Sequence, residues 1–341
     1  MIPHSLPFLT HDDETSLALC LEKKHLNTGF KDDELRDYFL SRFHKETFKL
    51  VTSGSAAFFL ILKSLDLQEE DEVILPAYVC QKVYETIKRA GATPILCDIG
   101  GDEWCVTMDS VQRYRTDRTK AIVLVNTFGH PVNITSFKGV NIPLILDCCH
   151  DFNSLHFFKD GCAISQSIDF LFTSFNATKP ITSGTGGLAF CVKDSYASSF
   201  QQTYVLWKDM FDMNDLQRSL LWTQIHHYEG MVKRKEEISD VYLKNIQPAL
   251  IAHYQYLKPG FRFLLTQKRF SFENVKKRYE DQGIHVRRGI DTLLHHVYPT
   301  VHHYPVAEEI FEKTVSIPFY PSLRDEEVHH VVRVTKDIFG S

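Results

Sequence analysis

Short, continuous runs of apolar residues recur along the first two thirds of the chain and constrain its fold more than any other feature. The runs do not alternate with polar residues, which is typical of strands buried on both faces of a sheet. Helical patterns separate several of them, for example at 80–89 and 109–115. This order predicts an α/β fold with a mostly parallel central sheet and layers on both sides. The strand candidates are 72–76, 94–98, 121–127, 143–147, 169–173 and 187–192.

The character of the chain changes after residue 212. Residues 214–246 have helical composition and predict a long linking helix. We therefore predict a large α/β domain over 1–212, and the linking helix with a smaller C-terminal α/β domain over 213–341. In that smaller domain the strand candidates are 261–265, 285–287 and 315–317, and the helix candidates are 272–282, 305–313 and 324–338.

Charge and hydropathy exclude several classes of partner. Lysine and arginine total 38 and aspartate and glutamate total 43, so the net charge is −5. An acidic balance without a basic tract argues against a nucleic-acid partner. Apolar stretches such as 56–62 are too short to span a bilayer, and the amino terminus lacks the layout of a signal peptide. We expect a cytoplasmic protein without a membrane partner.

The cysteines and histidines predict no metal site. None of the eight cysteines forms a C-x-x-C pair, and the histidine pairs lack a second ligand pair at a typical spacing. We expect packed or solvated roles for them.

Lys179 lies on a loop between an apolar strand and the glycine-rich turn 184–187. An amine at the end of a strand can form a Schiff base with an aldehyde, and Ser174 is placed to help hold an anion. The competing interpretation is that a single lysine near glycines carries no chemistry.

A second segment, 50–62, places a short strand directly before Thr52-Ser-Gly-Ser55 and an apolar helix. The free N–H groups and the positive dipole end of such a helix can hold a phosphate. Gly54 lets an anion approach the backbone, and Ser55 adds a hydroxyl. An ordinary serine-capped helix is the alternative.

A third segment, 142–150, ends a buried strand on Asp147, with His150 three residues later. Ligands of open α/β sheets bind at the carboxyl ends of strands, where a carboxylate can pair with the ring nitrogen of a pyridinium cofactor. In the alternatives, Asp147 caps a helix, or Cys148 and Cys149 form a reactive centre with His150. Buried cysteines mostly behave as small hydrophobes.

In this order, the three segments resemble the sugar aminotransferases of the DegT/DnrJ/EryC1/StrS family. The resemblance covers nearly the whole chain. The matching motifs are Thr52-Ser-Gly-Ser-Ala-Ala57, Val73-Ile-Leu-Pro-Ala-Tyr78, Gly91-Ala-Thr-Pro-Ile-Leu-Cys-Asp-Ile99, Asp147-Cys-Cys-His150, Ser174-Phe-Asn-Ala-Thr-Lys179, Gly184-Thr-Gly-Gly187 and Ser316-Ile-Pro-Phe-Tyr-Pro-Ser-Leu323.

The resemblance implies an aspartate-aminotransferase-like fold, fold type I of pyridoxal 5'-phosphate (PLP) enzymes. It implies that Lys179 forms the Schiff base with the cofactor, which cycles between PLP and its pyridoxamine form (PMP), and that Lys179 then shuttles a proton. Asp147 matches the acid that binds the pyridine nitrogen, and His150 matches a position near the phenolic oxygen. Gly54, Ser55 and Ala56 match the phosphate cradle, with Ser174 as a side-chain ligand.

The wall that stacks on the cofactor ring is assigned only loosely, to Tyr78 and Cys80. The family places an aromatic residue at the position of Cys80, and Tyr78 lies two residues earlier.

One segment departs from the family. Met210-Phe211-Asp212 stands where relatives carry Asn-Tyr-Arg, whose asparagine reaches the cofactor phosphate of the partner subunit of a homodimer. The connection between Asp194 and Met213 is also shorter than usual. Because an aspartate in place of the arginine would repel a diphosphate, we expect a substrate that differs from the usual nucleotide-linked hexose in size or mode of binding.

Three functions remain open at this point. The first is an aminotransferase that moves an amino group from an amino acid, with glutamate favoured by family habit, to a keto sugar, either nucleotide-linked or free. The second is a PLP- or PMP-dependent sugar dehydratase, although those relatives carry histidine in place of the lysine. The third is a binding or scaffold protein that keeps the fold without turnover, which the loss of Asn-Tyr-Arg favours.

Overall fold

The computed structural model describes residues 1–27, 29–156, 158–159, 161–252 and 260–340. A seven-stranded sheet in the order β1-β7-β6-β5-β4-β2-β3 forms its centre. Four neighbouring pairs are parallel, and β7 is antiparallel to both β1 and β6. The mostly parallel sheet is therefore confirmed. Its strands are β1 (Phe48–Val51), β2 (Glu72–Pro76), β3 (Thr93–Cys97), β4 (Thr119–Val125), β5 (Leu144–Asp147), β6 (Phe170–Ser174) and β7 (Gly187–Cys191).

Both faces of the sheet are buried, which explains the continuous apolar runs. In β4, Ala121, Val123 and Val125 belong to one hydrophobic cluster, and Ile122 and Leu124 belong to another on the opposite face. Successive side chains of a strand point to opposite faces, so each cluster takes alternate residues.

Helices cover the two faces of the sheet and bury these clusters. They are α1 (His11–Glu22), α2 (Asp32–Phe43), α3 (Gly54–Ser64), α4 (Gln81–Ala90), α5 (Met108–Tyr114), α6 (Asn153–His156), α7 (Ala163–Ser167) and α8 (Ala197–Phe211). None of the helices in the described ranges is long and apolar enough to cross a bilayer.

The predicted linking helix is α9 (Asp215–Asn245). Its start is fixed by a reciprocal cap: Asn214 Oδ1 accepts from Gln217 N, and Gln217 Oε1 accepts from Asn214 N, each at 3.0 Å. A two-stranded antiparallel sheet and a third hydrophobic cluster follow. This part contains β8 (Phe263–Thr266), α10 (Phe272–Glu280), α11 (Leu294–Val297), α12 (Pro305–Lys313), β9 (Thr314–Ile317) and α13 (Asp325–Phe339).

The strand predicted at 285–287 was wrong. His285 N donates to Ile2 O at 2.9 Å, whereas Arg287 and Ser316 exchange both backbone hydrogen bonds at 3.1 and 2.7 Å. The segment is therefore shared between the amino-terminal residues on one side and β9 on the other. Because each side contributes only an isolated bridge, no ladder forms.

Candidate active site

The carboxyl ends of β5 and β6 place two predicted residues side by side. Asp147 ends β5, and Ser174 ends β6. The strands are parallel neighbours, with Asp147 opposite Phe172. The crevice at this edge is where ligands of open α/β sheets bind.

Lys179 lies on the turn between β6 and β7. The turn is held by backbone hydrogen bonds from Lys179 N to Asn176 O and from Ser183 N to Phe175 O, both at 2.9 Å. The charge of Lys179 acts on the pKa values of Asp147, Cys149 and His150. The turn therefore brings the amine back over the end of β5.

The Asp147 carboxylate is buried and anchored by the chain that follows it. Its Oδ1 accepts from Cys149 N at 2.8 Å, and the side chain is 5% exposed. Burial raises the pKa of Asp147, and the hydrogen bonds with Cys149 and the charge of Lys179 oppose that rise. A cation placed beside it would favour its charged form.

The His150 ring is held in an aromatic stack. It lies nearly parallel to Phe261, with centroids 4.4 Å apart, and to Phe128, at 5.6 Å. Phe128 N donates to His150 Nδ1 at 3.3 Å, so the ring proton resides on Nε2. Burial lowers the pKa of His150 well below its usual value, and Lys179 and Arg262 lower it further. His150 is thus a neutral hydrogen-bond donor.

The start of α3 has the features expected of an anion cradle. Ser53 caps the helix, with its Oγ accepting from Ala56 N at 3.0 Å. The Ala56 N–H is therefore already engaged, and the N–H groups of Gly54 and Ser55 are the donors left at the first turn. The predicted cradle of Gly54, Ser55 and Ala56 stays a prediction.

The cradle is pressed against the loop that carries Lys179. A Cβ on Gly54 would lie 2.7 Å from Ser174 Cβ, and a Cβ on Gly187 would lie 2.5 Å from the Ser53 carbonyl. Neither glycine leaves room for a side chain. Thr185 Oγ1 also donates to Thr52 O at 2.8 Å. The helix start, Ser174 and the Lys179 turn consequently form one unit.

Tyr78 and Cys80, the predicted cofactor wall, have different surroundings. The Tyr78 ring is buried and makes edge contacts with Trp104 and Phe128, at 6.3 and 6.1 Å between centroids. Cys80 is exposed and precedes α4. Their contribution to a cofactor wall stays a prediction.

The structure also brings in residues that the sequence analysis did not assign. Cys149 contacts Asp147 through its backbone N–H. Its position two residues after Asp147 is the sequence signal that could have indicated this contact. Burial raises the pKa values of Cys148 and Cys149 well above their usual value, which leaves both as thiols. This argues against a cysteine reactive centre, since the thiolate is the nucleophile. Phe261 and Lys235 enter from distant parts of the chain and had no local signal.

Asp212, in the segment that departs from the family, is paired within the chain. Asp212 Oδ1 accepts from Arg218 Nη2 at 3.0 Å, and the Arg218 side chain is 8% exposed. Arg218 Nε also lies 2.6 Å from Asp32 Oδ1, so two carboxylates share one guanidinium. The expected difference in substrate stays a prediction. Thr52 N donates to Phe211 O at 2.8 Å, which ties this segment to the cradle.

One cluster in the described part of the chain has metal-ligand residue types. The Nε2 atoms of His295 and His296 lie 2.8 and 2.7 Å from the same oxygen of Glu308. These are hydrogen-bond distances between two rings and a carboxylate. The absence of a metal site stays a prediction.

The fold and site define a family. Residues 8–336 match the model of the DegT/DnrJ/EryC1/StrS aminotransferase family. Because the match spans nearly the whole chain, the protein belongs to this family. The predicted family, the fold type I architecture and the PLP-dependent aminotransferase class are thereby confirmed.

Individual relatives have low identity over full length. GDP-perosamine synthase of Escherichia coli O157:H7 is 25% identical over 366 residues, covering 99% of both chains. The structure of PseC of Helicobacter pylori, an aminotransferase involved in the biosynthesis of pseudoaminic acid, is similar with a TM-score of 0.85 at 19% identity, covering 99% of this chain and 98% of PseC. DesI, solved in the presence of its TDP-sugar product, gives 0.85 at 18% identity, covering 97% of this chain and 90% of DesI.

The residues present fit the cofactor. PLP requires an amine for its aldehyde, a carboxylate for its ring nitrogen and donors for its phosphate. Lys179, Asp147 and the start of α3 have groups of these kinds and would hold the cofactor. The Ser174 side chain takes the space beside Gly54, which holds Ser174 against the helix start where a phosphate would bind.

Replacing Asp147 by asparagine tests the electrostatic role of this carboxylate. The amide keeps the size but cannot hold a ring nitrogen protonated. We expect amino transfer to slow by at least about a hundredfold, on the order of 3 kcal/mol in barrier. Asp169→Asn is the matched control, because Asp169 precedes β6 at the opposite edge, where its carboxylate accepts from Leu144 N at 2.8 Å. Equal rates in Asp147→Asn and wild type would contradict the role.

Proposed function

We propose that this protein transfers the amino group of an amino acid, with glutamate as the favoured donor, to a keto sugar. The observation that carries the proposal is the convergence of Lys179, Asp147 and His150 at the carboxyl end of β5. An amine, a buried carboxylate and a neutral imidazole donor are the groups that this chemistry requires.

The chain's own residues divide the work. When bound, the cofactor supplies an electron sink that stabilises negative charge at the donor's α-carbon. Lys179 Nζ accepts the proton from that carbon in the first half of the reaction. In the second half it delivers a proton to the sugar carbon that receives the amino group. Asp147 Oδ2 and Oδ1 present negative charge, and His150 holds its proton at Nε2. The buried strand ends exclude water from these groups.

The sugar acceptor is supported by what related proteins do. GDP-perosamine synthase has a nucleotide sugar in its name, DesI was solved in the presence of its TDP-sugar product, and PseC is involved in the biosynthesis of pseudoaminic acid. We therefore propose a nucleotide-linked keto sugar as the first acceptor to test.

The two alternatives are less well supported. A sugar dehydratase of this fold uses histidine where this chain has Lys179. Burying a carboxylate costs stability, because the charge loses its hydration. A scaffold protein gains nothing from a buried carboxylate beside an amine, so this feature argues against that role. Both alternatives predict a protein that does not aminate keto sugars.

The function is tested by assaying amino transfer from glutamate to a panel of nucleotide-linked and free keto sugars. The wild-type protein should form an amino sugar and 2-oxoglutarate in equal amounts. Lys179→Ala should lose at least about a thousandfold in rate, since the nucleophile and base are removed together. Lys138→Ala, at an exposed lysine, should retain it. The absence of any amino sugar with cofactor-loaded wild type would overturn the proposal.

We also propose that the protein is a homodimer with its active site beside the interface. Helix α8 exposes an apolar row, with Val205, Leu206 and Met210 at 56%, 82% and 67% exposure. Such a row is typical of a surface covered by a partner. Because Phe211 O accepts from Thr52 N, a partner on this helix would lie next to the cradle.

Light scattering at low micromolar concentration tests the dimer. Wild type should have twice the chain mass, and Leu206→Glu should be monomeric, because a charge would be buried in the interface. Gln201→Glu adds the same charge at another exposed position of α8 and should remain dimeric. A wild-type monomer that transaminates at full rate would contradict the shared site.

Two further proposals complete the assignment. We propose that the chain is organised as the domains 1–212 and 213–341, in keeping with the end of α8 at Phe211 and the start of α9 at Asp215. We propose a cytoplasmic location, which the eight unpaired cysteines favour, since thiols persist in a reducing compartment.

A further inference from the structure

A cleft beside Lys179 is built from several separate parts of the chain. Its lining includes the amino-terminal residues around His4, the Lys179 turn, the inner face of α9 with Gln224 and Lys235, and Arg262 at the entry to β8. The same cleft contains Phe261, whose ring lies 5.3 Å from Lys179 Nζ. It therefore opens directly onto the reactive amine.

The charged residue types that line the cleft are all basic. Lys179, Lys235 and Arg262 are cationic residue types, His4 adds an imidazole, and no described lining residue is acidic. In addition, none of the ion pairs among the described residues involves Lys235 or Lys179. A cleft with this composition selects an anion.

Lys235 is held by the backbone and not by a carboxylate. Its Nζ donates to Gly260 O at 2.6 Å and to Phe261 O at 3.2 Å, and it lies 4.5 Å from the Phe319 ring centroid. An ammonium has three N–H donors, so one remains for a ligand. Burial lowers the pKa of Lys235 to about 7, which an anion nearby would reverse.

His4 provides an independent sign of a missing ligand. The side chain is 9% exposed, and its Nε2 lies 2.8 Å from Ser316 Oγ. Its Nδ1 is buried without a hydrogen-bond partner among the described residues. Burial lowers the pKa of His4 to about 3, with Arg262, Arg287 and His285 contributing, so the ring is neutral. A buried polar atom without a partner costs stability unless a ligand satisfies it.

Arg262 is fixed in place within the same cleft. Its Nη1 donates to Gly289 O at 3.0 Å and to Arg288 O at 3.2 Å. Its charge lowers the pKa values of both His4 and His150. Arg262 thus lies between the amino-terminal segment and the proposed cofactor site.

We propose that this cleft binds a carboxylate of the amino-group donor, held between Lys235, Arg262 and His4. The proposal rests on the proposed function, because it assigns the second reactant of the same site. A carboxylate accepts several charge-assisted hydrogen bonds at once, which suits an ammonium, a guanidinium and an imidazole. A sugar hydroxyl would leave the Lys235 ammonium without an ion-pair partner among the described residues. The amino terminus consequently forms part of the donor site.

The test is calorimetric titration of the cofactor-loaded protein with glutarate, which has the carboxylates of the donor but no amine to react. Lys235→Met should raise the Kd for glutarate at least about tenfold through loss of a charge-assisted hydrogen bond. Lys233→Met removes an equal charge from an exposed position of the same helix and should leave the Kd unchanged. His4→Leu, which keeps the ring's approximate volume, should weaken glutarate binding several-fold by the same principle.

A second titration, with UDP, distinguishes two anions that the cleft could bind. One is the carboxylate of the donor, and the other is the diphosphate of a nucleotide. We expect Lys235→Met and His4→Leu to leave the Kd for UDP unchanged. Glutarate affinity that both variants retain, or a loss confined to UDP, would overturn the assignment to the donor. The visible absorbance of the bound cofactor is recorded for each variant. If wild type itself fails to take up the cofactor, the proposed function fails, whereas a Kd difference in protein that has taken it up concerns the cleft alone.

Discussion

The close contact between the start of α3 and the Ser174–Gly187 turn is the constraint on which the rest of the site depends. A Cβ at Gly187 would meet the Ser53 carbonyl at 2.5 Å, and a Cβ at Gly54 would meet Ser174. Since the parallel sheet fixes Ser174 beside the end of β5, this contact fixes the helix N-terminus relative to Asp147 as well. The proposed donors for a phosphate and the proposed acid for a ring nitrogen are thereby held at one spacing before any ligand binds.

Helix α9 connects the cleft beside Lys179 to the aromatic stack on His150. Lys235 on α9 holds the Gly260 and Phe261 carbonyls, and the Phe261 ring stacks on His150. A displacement of α9 would therefore move the stack that orients His150, as well as the cleft beside Lys179. Lys235 therefore supports the wall of the site. In our proposal it also donates its remaining N–H to an anion.

The sequence predicted those features that local pattern determines. The continuous apolar runs located β2, β4 and β5, and the ends of these runs placed Asp147, Ser174 and Lys179 at one edge of the sheet. It could not predict that Phe261, Lys235 and His4 meet, because residues far apart in the chain are brought together only by packing. It could not predict the pairing of Asp212 with Arg218 either, because the two residues meet only where α9 begins, at Asp215. At 285–287, a β-rich composition gave a bridge and not a strand, because two different neighbours share the segment.

The central claim is that Lys179 holds the cofactor, and borohydride reduction of the cofactor-loaded protein followed by peptide mass mapping tests it most directly. Reduction makes the bond between the lysine and the cofactor permanent, so the modified peptide identifies the residue. The account predicts one adduct per chain, on Lys179, with Lys235 unmodified although it lines the same cleft. An adduct on Lys235 or on any other lysine, or a protein that remains colourless with added cofactor, would contradict it.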